Sequence, residues 1–250
     1  MNDRTSWEPL YRELDRWQAA GRTARFWLRD DDAVEPTPDL DTLLELTGES
    51  AVPLTLAVIP ALTGEALAAR LARDAGITVA VHGWSHTNHA GPERKKQELG
   101  AERPADVVLA ELREGLRLLE RLHPDRFQPI LVPPWNRIDA ALIPALPGLG
   151  FAALSVYGRA RPGGPLPLLN THVDIIDWQG TRGGRSEAEL VAELVAELSD
   201  RFAGRDEPVG LLTHHLVHDA AAWDFLSALF AVTDRHPAVH WSAAAALLRR

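Results

Sequence analysis

Short apolar runs alternate with helix-periodic segments along nearly the whole chain, and most of these runs end in acids, histidines or a proline–aromatic turn. This alternation constrains the fold more than any other feature. Parallel strands need a long crossover between them, usually a helix, so strand–helix repetition implies a parallel sheet. The opening segment places Leu10, Leu14 and Trp17 at helical spacing and stops at Gly21. Arg25 to Leu28 then reads as a buried strand that runs into Asp30-Asp31-Asp32. Further strands are expected at 53–59, 77–81, 129–132, 151–156, 168–176 and 209–213, and helices at 39–46, 64–73, 105–122, near 140, 186–202 and 220–233. Ser186 followed by Glu189 is a capping box, and the Gly/Pro-rich stretch 158–167 is a loop. About seven such units in one chain point to an α/β fold, a single-domain distorted (β/α) barrel with about seven parallel strands spanning 1–250. An N-terminal helix within 1–21 packs on it.

Composition narrows the function. The chain has 250 residues, enough for one large core. Its formal charge of -9 repels phosphate backbones, so no nucleic-acid partner is expected. There is no cysteine, which excludes thiolate ligands, disulfides and a cysteine nucleophile. The charged N-terminus does not read as a signal peptide, and no apolar run is long enough to span a bilayer. A cytoplasmic location and no membrane partner are therefore expected. Gly-x-Ser-x-Gly elbows and Gly-rich phosphate loops do not occur.

The chemistry-bearing residues cluster where the strands end. Asp30 to Asp32, His82, Pro133 to Trp135, Asp177 and His214 each follow the C-terminal end of an expected strand, the edge at which parallel α/β folds assemble active sites. His82 and His86, four apart, share a face if the chain turns helically after its strand, which suits two ligands of one divalent metal. Three consecutive aspartates need a cation or strong donors nearby, and one of them is the expected oxygen ligand, with a helix N-cap or solvated loop ahead of the helix that starts at Pro36-Thr37-Pro38 as the alternative. A three-ligand His/His/Asp site is catalytic in type, with zinc the expected metal. Trp84, Trp135 and Trp178 are candidates for stacking on a sugar ring, with ordinary packing the equal alternative. Lys95, Lys96, Glu98 and Arg103 read as a solvated loop, His172 and Asp174 as structural hydrogen bonding, and His218-Asp219 as a helix start.

In these motifs, taken in order, the chain resembles the polysaccharide deacetylase (NodB-homology, carbohydrate esterase family 4-like) family. Leu28-Arg29-Asp30-Asp31-Asp32 is similar to its aspartate-pair motif with an additional acid, and His82 with His86 to its two metal histidines. Val132-Pro133-Pro134-Trp135 is similar to its Arg-Pro-Pro-aromatic motif, Asp174 to Trp178 to its Asp-Trp motif, and Leu211-Leu212-Thr213-His214 to the strand that ends in a catalytic histidine. The resemblance implies Asp31 as base and Asp32, His82 and His86 as metal ligands. A shift of one residue gives Asp30 and Asp31 those roles instead. It implies His214 as the acid, with His215 as the other candidate, and a substrate surface of Pro134, Trp135, Arg137, Asp177, Trp178 and His215. Val132 replaces the family arginine. Arg137 is the nearby residue able to restore the positive charge, with Asp177 to orient it or the base.

The implied activity is a metal-dependent hydrolysis that removes an acetyl or similar acyl group from an N-acetylated sugar-like substrate. The partner is then a small molecule or an oligosaccharide. Two alternatives keep the same residues: an amidohydrolase acting on a small non-sugar amide, and a degenerate barrel that binds carbohydrate without turnover.

Overall fold

The structure is a computed structural model, and it describes residues 4–161 and 163–249. Residues 1–3 of the expected N-terminal segment and Pro162 of the expected loop lie outside the described residues. The chain contacts group into two compact units. Within the described residues, the first comprises the stretch up to Asp30, Thr37–Leu54 and Thr171–Ala243. The second comprises Asp31–Pro36, Thr55–Asn170 and the stretch from Ala244.

The first unit opens with α1 (Arg4–Ala19) and most of strand β1 (Ala24–Ala33). Helix α2 (Pro38–Glu49) follows; the Thr37 hydroxyl caps it by accepting from Leu40 N at 3.1 Å. The unit resumes with β6 (Val173–Asp174), α6 (Glu187–Phe202), β7 (Val209–Thr213), α7 (Ala220–Asp234) and β8 (Val239–Trp241). Strand β1 pairs in parallel with β7 and β8, and β7 pairs with β6. Helix α1 lies against α6, and Trp7 stacks on Phe225 of α7 with ring centroids 5.5 Å apart. The Ser186 hydroxyl caps α6, accepting from Glu189 N at 3.4 Å as in a capping box, but the Glu189 carboxylate accepts from that hydroxyl at 2.8 Å.

The second unit contains the last residues of β1, then β2 (Leu54–Val58), α3 (Glu65–Leu71), β3 (Ile77–His82), α4 (Ala105–Leu122), β4 (Phe127–Val132), α5 (Leu146–Leu149), β5 (Ala153–Leu154) and α8 (Ala244–Leu247). Strand β4 pairs in parallel with β3 and β5. Val108, Leu112, Gly115, Leu116 and Leu119 form the buried stripe of α4 at helical spacing. Strands β2 and β3 are buried along their whole length, which is why they read as nearly continuous apolar runs, interrupted by Thr55 and Thr78, rather than alternating ones.

Because β1 runs through both units, the hydrogen-bonded strand order is β5-β4-β3-β2-β1-β7-β6, with β8 on β1. The fold is α/β, the parallel strand–helix arrangement of a distorted (β/α) barrel. Its departures from the expected elements are local. The long strand expected at 168–176 is reduced to Val173–Asp174. There the Asn170 side chain takes Val156 N, and the His172 ring Nδ1 accepts from Gly210 N at 3.0 Å. Polar side chains thus occupy backbone groups that a longer ladder would use. The short helix expected near Ala140 lies later, at α5, and β8 and α8 were not expected at all.

Candidate metal centre

The second unit gathers Asp32, His82 and His86 so that one ligand atom from each lies within 4.8 Å of the others. Strand β3 delivers His82, which is 1% exposed. The Asp32 oxygen Oδ1 is 3.1 Å from His82 Nε2 and 3.2 Å from His86 Nε2. Tetrahedral ligands on a metal at about 2.0–2.2 Å sit roughly 3.3–3.6 Å from one another, so the observed spacings need to open by only a few tenths of an ångström to share an ion.

The tautomer of His82 supplies an independent test. Its Nδ1–H donates to the Val132 carbonyl at 3.0 Å. In the neutral ring Nε2 then carries a lone pair, and that lone pair faces a carboxylate oxygen. Two acceptors at hydrogen-bond distance repel unless a proton or a cation lies between them. A carbonyl on the far nitrogen is also how metal-bound histidines are usually held. Burial, and then the neighbouring His82, push the His86 pKa below its ordinary value against the opposing charges of Asp32, Glu98 and Asp31. His86 is therefore held towards the neutral form that ligates a metal. The donor set fits a divalent cation.

A helical turn does not bring the two imidazoles together. Residues 83–86 form an irregular turn, entered by Gly83 at φ 59 and left by His86 at φ 57. Glu98 holds this turn: its carboxylate accepts from Trp84 N at 3.1 Å, Ser85 N at 2.7 Å and Ser85 Oγ at 3.0 Å. Glu98 is fully buried, which corrects its reading as part of a solvated loop. The sequence hints at it only through the adjacent Leu99, also fully buried, because an acid beside two lysines otherwise looks solvated. No side chain fits at position 83, where a Cβ would approach Pro134 Cδ to 2.6 Å. Asp32 is itself left-handed, at φ 75, a conformation aspartate tolerates better than most residues. Trp135 lies against His86, ring centroids 4.3 Å apart, at the start of a tight turn in which Trp135 and Asn136 are both left-handed. Arg137 is anchored by donating to the Lys96 carbonyl at 2.8 Å. Asp31 is 2% exposed, and its charge reaches His86.

The remaining candidates belong to the first unit. Asp30 is fully buried. It accepts from Thr213 Oγ1 at 2.7 Å and His215 N at 2.9 Å, and it pairs closely with His215 Nδ1. Burial raises its pKa, but attraction to His215 and these hydrogen bonds outweigh that, leaving it below the ordinary carboxylate value. His215, expected as a substrate contact, is instead 1% exposed with its ring against Asp30. His214 packs edge-on to Trp178 at 4.7 Å, and the Trp178 indole donates to Asp174 at 2.8 Å. Asp177, expected to orient Arg137 or the base, spends its oxygens on its own turn, accepting from the N–H groups of Gln179, Gly180 and Thr181. Asp219 caps α7 through Ala222 N at 3.0 Å.

No family model matches the chain, and no curated protein matches it significantly. Solved structures do. A candidate polysaccharide deacetylase from Mycobacterium smegmatis aligns with a TM-score of 0.70 and 19% identity over 92% of this chain and 90% of that one. A mutant of a peptidoglycan deacetylase from Bacillus subtilis aligns at 0.59 with 14% identity over 91% of each chain. A family 4 acetyl xylan esterase from Clostridium thermocellum, solved with a cobalt ion, aligns at 0.51 with 14% identity over 83% of each. At these identities the likeness establishes the fold, which this chain shares with polysaccharide and peptidoglycan deacetylases and family 4 carbohydrate esterases.

Proposed function

We propose that this protein is a metal-dependent hydrolase that removes an acetyl group from an N-acetylated, sugar-like small molecule or oligosaccharide. The observation that carries this reading is the His82 ring, whose Nε2 lone pair is aimed at Asp32 Oδ1 beside a second imidazole. The shared fold supports the same reaction class. Asp32, His82 and His86 hold the cation, with zinc favoured by two imidazoles and a carboxylate. Bound there, a divalent cation supplies Lewis acidity, polarising the acyl carbonyl and making water a better nucleophile at neutral pH.

The protein's own groups do the rest. Asp31, next in the chain to a ligand, takes the proton of the attacking water, and His214 returns a proton to the leaving amine. Trp135, packed on His86, walls one side of the metal centre and orients the sugar ring against it. The buried Asp30–His215 pair is a positioning element that braces the His214 backbone from the next residue. No helix among the described residues is long and apolar enough to cross a membrane. A cytoplasmic location, with neither membrane nor nucleic acid as partner, is part of the proposal.

The test combines elemental analysis with a deacetylation assay on acetylated sugars and small amides. The expected wild-type result is about one equivalent of divalent metal, as for a three-ligand site, lost in His82→Ala. Asp31→Asn should keep the metal and lose about 10²- to 10⁴-fold in turnover, the usual worth of a general base. Full activity in Asp31→Asn would remove the assigned base. A metal-free wild type that no added cation stabilises would remove the reaction altogether.

A further inference from the structure

Next to the metal centre, and wholly within the second unit, lies a cleft of about 940 Å³. That is large for a site that needs to hold only one acetylated unit, and it lies within the size range of ligand pockets. Its charged lining consists of Arg137, Arg159 and Arg161, with no aspartate or glutamate among the described lining residues. The chain as a whole carries 35 acids against 26 bases, so this surface reverses the sign of the molecule. Leu154, Val156 and Leu168 make an apolar floor, and the Tyr157 ring, 41% exposed, stands at its side.

One short turn of the chain links the cleft lining to the metal centre. Trp135 packs on His86, and the next two residues, Asn136 and Arg137, already line the cleft. Two trans peptide steps span at most about 7 Å, so the Arg137 backbone lies within about the length of one sugar unit of Trp135. The Lys96 ammonium adds a further positive charge 5.9 Å above the Trp135 ring. The bond to the Lys96 carbonyl uses one of the five guanidinium N–H groups of Arg137 and fixes the orientation of the rest. A planar fork of donors held in this way matches a carboxylate or a phosphate, which it can grip through two parallel hydrogen bonds.

We propose that this cleft takes an anionic group, carboxylate or phosphate, borne by the part of the substrate adjacent to the N-acetylated unit. The preferred substrate is then an acidic acetylated saccharide or a phosphorylated acetylated sugar rather than a neutral chain of acetylated units. The apolar floor and Tyr157 receive the ring face or aglycone that carries the anion. This proposal rests on the deacetylase reading and specifies its substrate class.

The experiment measures binding of three probes to the metal-loaded protein by titration calorimetry, with turnover followed separately. The probes are N-acetylglucosamine, N-acetylglucosamine 1-phosphate, and a disaccharide of N-acetylglucosamine and glucuronic acid. The result expected is at least a tenfold tighter affinity for one charged probe than for the neutral sugar, weakening as salt is raised. Which charged probe wins separates phosphate from carboxylate. Arg137→Gln/Arg159→Gln/Arg161→Gln is expected to collapse that preference, and Arg159→Gln/Arg161→Gln alone, at exposed positions where thermal melting should not change, to weaken it. Equal affinity for all three probes, no binding of either charged probe at millimolar concentration, or a preference that survives the triple substitution overturns the proposal. Failure of the reaction is read separately. Charged probes that bind without turnover of any acetylated compound leave the cleft intact and remove the deacetylase reading, whereas turnover with no charge preference does the reverse.

Discussion

A carboxylate that accepts three hydrogen bonds inside the protein is costly to alter, and Glu98 is such a group. Its two oxygens organise the backbone between His82 and His86 without touching either ring, so it sets where the second imidazole points. Replacing it with glutamine puts an NH₂ group against backbone N–H donors that now face a carboxylate oxygen. Glu98→Gln is therefore expected to weaken metal binding about 10- to 100-fold, as loss of supporting partners around a ligand usually does. Competition with a chelator measures this; unchanged affinity would mean that the turn is held by other contacts. The three aspartates show how differently neighbours can fare. Asp32 meets two imidazoles, Asp31 is buried beside the ligand, and Asp30 is buried against His215. Composition alone cannot separate them, since all three carry the same charge and the same donor atoms.

Helix α4 makes the corresponding argument for an element. Its apolar stripe was legible because helical spacing is a local property. Gly115 on that stripe is not explained by propensity, since glycine costs a helix interior about 1 kcal/mol relative to alanine. Its reason is tertiary. A Cβ there would sit 2.8 Å from Pro60 Cγ, a ring atom with little room to move, and 3.5 Å from the Gly83 carbonyl. Overpacking of this kind costs about 1–3 kcal/mol, so it should outweigh the helical gain. Gly115→Ala is expected to lower the melting temperature, and a rise would show that the α4 contact with Pro60 is looser than the packing implies. The shrinkage of the expected 168–176 strand to two residues has the same character. Its apolar pattern favours a strand, but the side chains of Asn170 and His172 take up backbone partners that only the folded chain presents.

At the scale of the whole molecule, titration decides how stability follows pH. Burial holds His123 at about 4, with Arg126 adding repulsion. Burial likewise holds His218 at about 4 against the attraction of Asp30. In the unfolded chain both titrate near 6.5. Between those values the unfolded state binds more protons, so stability is complete above about pH 6.5 and falls as the pH drops towards 4. For His123, 3% exposed, the loss is at most about 3 kcal/mol. Asp30, held below its ordinary value, adds a further loss only in stronger acid. Melting curves should be nearly flat from pH 8 to 7 and decline steeply below 6.5. His123→Leu should reduce that slope, and an identical slope in the variant would assign the decline elsewhere.

Local pattern was enough for the alternation of strands and helices up to α7, the helix starts at Ser186 and Asp219, and the placing of acids and histidines at strand ends. These are legible because periodicity, capping and turn chemistry act over a few residues. Long-range packing sets which aspartate faces the two imidazoles, turns His215 inward to Asp30, and places Glu98 on the metal-site turn. The same holds for the arginine-lined cleft beyond Trp135. Each depends on partners far apart in the chain, and on left-handed backbone at Asp32, His86 and Trp135 that no local pattern announces. Such conformations cost energy locally and persist where the surrounding packing enforces them.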